Sequence, residues 1–324
     1  MNTEPFDVSS RLDSEHLAAL NLLPSSLLDL TDLAESRKRI NGRWAAMPKP
    51  EIPASVSIVD HLVEGFDGHP LMVRLYKPDT ERPSSPGFYW VHGGGLILGD
   101  VSNSDPWCAE VACDLDVVVA SVEYRLAPEF PYPIPLEDCY AGLTWFFDHA
   151  TATGMNGSRI AIGGSSAGAG LAAGLAMLAR DRGQVQTCFQ FLRAPMLDDR
   201  NDTRSSYLIT DARLWNRAAN QAAWNAYLGG KAGASDIPAY AAAARATDLA
   251  GLPPAIITVG DLDLFVDEDV AFAEGLLHAG VPTELHVYPG AFHGSIGSVP
   301  DSDISRRWKR DEFAALDRAL NDGQ

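Results

Sequence analysis

The chain has 324 residues, 46% of them hydrophobic, a formal net charge of −18 and a pI near 4.7. That length holds one large α/β domain or two small ones, and so acidic a surface repels phosphate backbones, which excludes nucleic acid as a partner class. The four cysteines (Cys108, Cys113, Cys139 and Cys188) form no C-x-x-C pair and no cluster with histidine, so they read as free thiols in a reducing, cytoplasmic setting and not as a disulfide framework or a zinc site.

The first residues carry no basic region followed by an apolar one, and no apolar run reaches about 18 residues, so neither a signal peptide nor a membrane span is predicted. Leu17, Leu20, Leu23, Leu27 and Leu30 recur at helical spacing and predict a helix with one apolar face. Ser36-Arg-Lys-Arg39 reads as its solvated end. Val56 to Ile58 and Leu71 to Tyr76 alternate around Gly65 and Asp67-Gly68, the signature of an antiparallel hairpin. A proline-bearing loop, 78–86, leads to an apolar strand, Gly87 to Val91, which runs into His92-Gly-Gly-Gly95.

A helix is expected over 104–114 and a buried parallel strand over Val117 to Val122. Tyr124-Arg-Leu-Ala-Pro-Glu129 follows. Pro135, with Glu137 and Asp138 behind it, suits the start of a helix running to His149. Ile160 to Ile162 end a strand, Gly164-Ser-Ser-Ala-Gly168 makes a turn, and a small-residue helix runs to about Arg182. Cys188 to Leu192 is the next strand. Residues 198–230 then interrupt the rhythm with a helical insertion, for which Asp211 is the expected cap. Ala239 to Ala246 is helix or connector. A strand at Ala255 to Val259, a helix at Val270 to Gly280, a strand at Leu285 to Tyr288 and a helix over 301–320 complete the alternation. Such alternation predicts an α/β fold: a mostly parallel sheet with helices on both faces.

Three residues follow strand ends in an order that carries chemistry: Ser166, Asp263 and His293. Gly164-Ser-Ser-Ala-Gly168 has the form G-x-S-x-G between a strand and a helix. There a serine takes a strained turn and projects over a helix N-terminus, and small flanking residues are required. The pentapeptide alone equally describes a glycine-rich βα turn; the rest of the chain decides. A serine hydroxyl needs a base to take its proton, imidazole suits that task near neutral pH, and a carboxylate holds the imidazole in the right tautomer. Asp261 and Asp267 compete with Asp263 for the last role. His286 reads as structural, and His16, His61, His69, His149 and His278 as helix, strand or hairpin surface. The acyl-transfer oxyanion needs preorganised N–H donors. Gly93, Gly94 and Gly95 supply two of them without deciding which two, and Ala167 a third. His92 reads as an anchor of that loop. Leu96, Ser165, Leu208 and Trp215 are candidates for the substrate pocket, with Trp224 and Tyr227 nearby in sequence.

With these motifs in order, from about residue 55 to the end, the chain resembles the hormone-sensitive-lipase-like family of α/β-hydrolase esterases. His92 to Gly95, Tyr124 to Glu129, Gly164 to Gly168, Asp263 to Glu268 and Pro289 to His293 carry the resemblance. It implies an eight-stranded α/β-hydrolase core over 51–197 and 231–324, and a helical cap built from 1–50 and about 198–230. It implies hydrolysis of short- to medium-chain carboxylic esters, a small-molecule ester as partner and no cofactor or metal. It also makes a homodimer through a sheet edge an expectation. An amide, lactone or aryl-ester hydrolase, or a receptor on the same fold, are the competing readings. Ser165 before the nucleophile, Leu96 after the glycines and Leu264 after the acid depart from common family residues; these positions bear on pocket shape. Arg125 and Glu129 are expected to tie the loops beneath the site.

Overall fold

A computed structural model describes residues 7–321 apart from 26, 47–49, 81 and 83. Part of the expected cap segment 1–50 and of the loop 78–86 therefore lies outside the described residues.

Two helices come first, α1 (Ser14–Leu20) and α2 (Leu33–Ala46). The strands and helices of the main body are β1 (Val56–Glu64), β2 (Pro70–Pro78), β3 (Ser85–Val91), α3 (Asp105–Leu115), β4 (Val118–Val122), α4 (Ile134–Asp148), α5 (Ala150–Thr153), β5 (Met155–Ser165), α6 (Ala167–Arg182) and β6 (Phe189–Arg193). After α7 (Arg204–Leu208) and α8 (Arg217–Tyr227) come β7 (Ala255–Leu262), α9 (Val266–His278), β8 (Thr283–Phe292), α10 (Ser295–Ser298) and α11 (Asp303–Asn321).

The eight strands form one sheet in the order β1-β2-β4-β3-β5-β6-β7-β8. β1 and β2 pair antiparallel, as does β2 with β4, and all other neighbours are parallel. β3, β4 and β6 are buried along their whole length, as parallel strands covered on both faces must be. Successive residues of β3 feed opposite cores. Phe88 and Trp90 join Cys108, Val111 and Leu316, from α3 and α11, whereas Tyr89 and Val91 join Leu136, Leu175 and Leu276, from α4, α6 and α9. The period of two along a strand thus welds the two helical layers to one sheet.

Three expectations about the helical segments are corrected. The leucine stripe is not one helix: α1 stops after Leu20, Pro24 intervenes, and α2 begins at Leu33. Proline lacks an N–H donor and restricts the residue before it, which favours the break. Leu20 alone of the stripe is fully buried. Ser36 to Arg39 is not a solvated end but lies within α2, where Ser36 is buried against the Asp29 and Asp32 carbonyls and Arg39 reaches the carbonyl of Asp29. The cap of α8 is Asn216, whose side chain accepts from Ala218 and Ala219 N–H. Asp211 is occupied by the guanidinium and N–H of Arg213, so Leu214 and Trp215 precede the helix. Within Ala239 to Ala246 only a short 3-10 turn, Ala243–Arg245, forms.

The connection between the two N-terminal helices touches the 198–230 segment: Leu28 N–H donates to Ala212 O at 3.1 Å, and Arg213 Nη1 to Asn21 Oδ1 at 3.3 Å. The four cysteines are free thiols. Among the described residues no helix is long and apolar enough to cross a membrane.

Candidate active site

Ser166 stands between β5 and α6 with φ 58° and ψ −123°. This is a sparsely populated conformation for a residue with a side chain, and such strain is sustained only where the surroundings fix it. Here they do. Ser166 N–H donates to Arg193 O at 2.8 Å, and Ser166 O accepts from Met196 N–H at 3.1 Å and Gly170 N–H at 3.0 Å. The turn also closes so tightly that its flanking glycines have no room for a Cβ. One added at Gly164 would lie 2.4 Å from the Gly168 carbonyl carbon, and one at Gly168 would lie 2.1 Å from Val91 O.

Ser166 Oγ lies 2.9 Å from His293 Nε2, and His293 Nδ1 lies 2.7 Å from Asp263 Oδ2. A carboxylate only accepts, so the imidazole N–H at Nδ1 donates to Asp263 and the Nε2 lone pair is left to accept from the serine hydroxyl. Asp263 follows β7 and is buried, with its second oxygen accepting from Phe265 N–H at 3.0 Å. His293 follows β8, and its ring stands nearly perpendicular to that of Phe265 with the centroids 5.1 Å apart. Neither competing aspartate reaches the imidazole. Asp261 accepts from Gly290 N–H at 2.7 Å and from Arg11 at 2.6 Å, and Asp267 accepts from Ser205 N–H at 2.7 Å. Arg193, whose carbonyl receives Ser166 N–H, is itself held by both carboxylate oxygens of Glu312, to which it donates at 2.9 and 2.6 Å.

The glycine loop follows β3. Gly94 and Gly95 have φ of 118° and 62°, in the region glycine tolerates best. Gly94 O accepts from both Ile97 N–H (3.1 Å) and Leu98 N–H (2.9 Å), closing a turn. Gly93 packs against the Ser165 carbonyl and Ser166 Cβ. His92 is buried, stacked on Tyr124 at 4.3 Å, with Nδ1 2.8 Å from Gly93 O. Burial depresses its pKa to about 4, so the ring is neutral at pH 7 and donates to that carbonyl.

The other predicted pocket residues fall at different depths. Trp215 comes closest to His293: its ring edge occupies the space a side chain at Gly95 would need, and its centroid is 6.5 Å from that of His293. Ser165 ends β5, and its carbonyl faces Gly93. Leu96 is buried with φ 65°, its carbonyl accepting from Ala127 N–H at 3.0 Å. Leu208 ends α7, buried on an element that bonds to Leu264 O and Asp267 through Ser205. Trp224 and Tyr227 are core.

Two contacts around the site are not legible in the sequence. His16, expected at a surface, is wholly buried, bonding Gly290 O at 3.1 Å and Ser302 Oγ at 2.9 Å, with its ring edge-on to Phe292. Glu268 is buried and accepts from Leu197 and Asp198 N–H, in the loop that also binds Ser166 O. Arg125 does tie loops, but to Asp138 and the Phe66 carbonyl, while Glu129 pairs with Arg37 of α2. Arg125 and Glu129 are marked by the Tyr124 to Glu129 motif and Glu268 by the Asp263 to Glu268 motif, whereas His16 carries no signal.

A strained serine over a helix N-terminus, an imidazole and carboxylate behind it, and a glycine loop beside it, all on the carboxyl side of a mostly parallel sheet, define a hydrolase of the α/β type. A family model described as alpha/beta hydrolase fold matches residues 88–297. Esterase LipI of Mycobacterium tuberculosis is 33% identical over 293 residues, covering 90% of each chain. Carboxylesterase NlhH of the same organism is 33% identical over 98% of this chain and 99% of its own. Among solved structures, a bacterial heroin esterase superimposes with a TM-score of 0.92 at 41% identity over 97% of this chain and all of its own. Esterase LipW from Mycobacterium marinum gives 0.82 at 34% identity over 99% of this chain and all of its own. The chain belongs to the hormone-sensitive-lipase-like family of α/β hydrolases and is an enzyme of the serine-carboxylesterase class.

Proposed function

We propose that this protein hydrolyses short- to medium-chain carboxylic esters through an acyl-enzyme on Ser166. The observation that carries the reading is the unbroken path from Ser166 Oγ to His293 Nε2 (2.9 Å) and from His293 Nδ1 to Asp263 (2.7 Å). Ser166 Oγ attacks the ester carbonyl as its proton passes to Nε2. The developing oxyanion is met by Ala167 N–H and two of the Gly93, Gly94 and Gly95 N–H groups, donors worth about 2.7–4 kcal/mol each. The imidazolium, held by Asp263, gives its proton to the leaving alcohol, and a water then repeats the sequence on the acyl-enzyme.

Residues 1–50 and 198–230 act as the cap over this site. Trp215 and Leu96 bound the pocket, with Ser165 and Leu208 behind them. The free thiols fit a cytoplasmic location. The exposed Leu285 and Val287 of the edge strand β8 fit a homodimer joined there.

The test is a ladder of p-nitrophenyl esters from acetate to laurate, with Ser166→Ala beside the wild type. The expectation is turnover of the shorter esters and a fall in kcat of about 10⁶-fold in the variant. A folded wild type inert on every ester ends the reading; a fully active variant means that another serine attacks.

A further inference from the structure

The structure links the oxyanion loop to the N-terminal segment through one side chain. Arg37, in the middle of α2, sends its guanidinium to three acceptors on two other loops. Nε donates to Ile97 O at 2.8 Å, Nη2 to Ala127 O at 2.5 Å, and the two Nη groups to the Glu129 carboxylate at 2.6 and 2.9 Å. Ile97 belongs to the turn that follows Gly93 to Gly95.

The bond to Ile97 matters because peptide groups are rigid planes. The carbonyl of Ile97 and the N–H of Leu98 share one plane, and that N–H donates to Gly94 O at 2.9 Å. Gly94 O in turn shares a plane with the N–H of Gly95, a candidate oxyanion donor. The direction of the Gly95 N–H is therefore tied, through two planes and two hydrogen bonds, to the position of Arg37 Nε. Ala127 fastens the same turn from the other side, since its N–H donates to Leu96 O at 3.0 Å while its carbonyl receives Arg37. Ile97 is buried, so its carbonyl has no ready replacement from bulk water if the guanidinium is removed. Glu129 holds the guanidinium in a planar, bidentate fork that a lysine cannot reproduce.

We propose that Arg37 is a positioning residue of the proposed ester hydrolysis: it sets the orientation of the oxyanion-loop amides, so that docking of the N-terminal segment is read out as transition-state stabilisation. This rests on the ester-hydrolase reading given above. Oxyanion donors act on the tetrahedral state more than on the bound ester, so the loss should fall on kcat.

The experiment compares Arg37→Ala, Arg37→Lys and Arg39→Ala with wild type on p-nitrophenyl acetate. It measures kcat, KM, the melting temperature and inhibition by a trifluoromethyl ketone, which adds to the serine and places an oxyanion in the hole. Arg39 also holds the segment, through Leu27 O and Asp29 O, but makes no bond to the loop. The expected result for Arg37→Ala is a kcat lower by about 10- to 100-fold, KM within about twofold and the ketone weakened by the same factor as kcat. Arg37→Lys falls between, and Arg39→Ala keeps kcat within about twofold.

Unchanged kcat in Arg37→Ala, a change confined to KM, or an equal loss in Arg39→Ala overturns the proposal. Should Arg37→Ala not fold, Glu129→Gln takes its place. That variant loosens the fork from its half-exposed side and is expected to lower kcat and ketone affinity together by about threefold or more; no loss in that variant overturns the proposal. A wild type inert on all esters defeats the underlying reading instead, a result distinct from an active wild type matched by its Arg37 variants.

Discussion

Ser166 can hold its backbone at φ 58° only because nothing protrudes from Gly164 or Gly168. A methyl at Gly168 would meet Val91 O at 2.1 Å and His92 O at 2.4 Å, both main-chain atoms of the strand end that leads into the glycine loop. Side chains can swing aside from such a clash, but β3 cannot, since it is paired on both edges. Gly168→Ala is thus expected to displace Ser166, the proposed nucleophile, and the loop together, with a stability loss of about 3 kcal/mol or more and collapse of esterase turnover, read by thermal denaturation and kcat on the same sample. Asp263→Asn tests a different property of the site. Its geometry can persist, but an amide donating to Nδ1 reverses the imidazole tautomer and leaves Nε2 protonated against the serine. The expected loss is about 10⁴-fold in kcat with little change in melting temperature; a loss of only a few-fold would mean that another group holds His293.

Elements are pinned to one another by groups far apart in sequence. Glu312 of α11 accepts from Arg193 of β6 twice, from Thr258 of β7 at 2.7 Å and from Trp308 Nε1 at 2.9 Å, all buried. Arg193 O holds Ser166 N–H, so the last helix braces the strand beside Ser166. Glu312→Ala strands a buried guanidinium and is expected to cost about 3–5 kcal/mol in urea denaturation, whereas Glu312→Gln, which still accepts from Trp308 and Thr258, should cost less. This network also marks the limit of what the sequence makes legible. Strands β3 to β8 and helices α4, α6 and α9 follow from apolar runs, prolines and glycines acting over a few residues. The Ser166, Asp263 and His293 positions follow because each sits beside a local turn motif. The burial of His16 against Gly290 O, the Arg37 fork and the Asn216 cap had no such local mark. A polar side chain buried by a partner 274 residues away looks, in sequence, like any exposed one. The leucine stripe misled for the converse reason: its spacing is helical, but Pro24 and the hydrogen-bonding side chains of Asp29 and Asp32 end one helix and start another.

Across the whole molecule, buried titratable groups set opposing trends in stability with pH. His92 has a folded pKa near 4 against an ordinary 6.5, because burial disfavours its cation. The unfolded chain therefore binds the extra proton first, and stability is lost as pH falls from about 6.5 toward 4, by about 3 kcal/mol in all. Glu268 and Asp269 run the other way. Burial and the neighbouring carboxylates, including Asp263, push both well above their ordinary range. Neither oxygen of Asp269 has a hydrogen-bond partner among the described residues. The folded state keeps these protons after the unfolded chain has released them, so their contribution is present in acid and lost as pH rises through the ordinary carboxylate range toward the folded values. Above the ordinary carboxylate range the two carboxylates outweigh His92, so together these groups make stability highest near the acid end, declining gently up to about pH 6.5 and more steeply above it, where His92 no longer contributes a slope. Asp269→Asn separates the two trends, because an amide has the shape of the neutral acid and cannot ionise. Urea denaturation from about pH 4 to about pH 9 should show the variant indistinguishable from wild type at the acid end. It should gain on wild type by up to about 1.4 kcal/mol per pH unit above the ordinary carboxylate range, until the folded Asp269 itself ionises. Parallel curves for the two proteins over that range would mean that the buried Asp269 is charged and that its compensation lies in the surrounding fold.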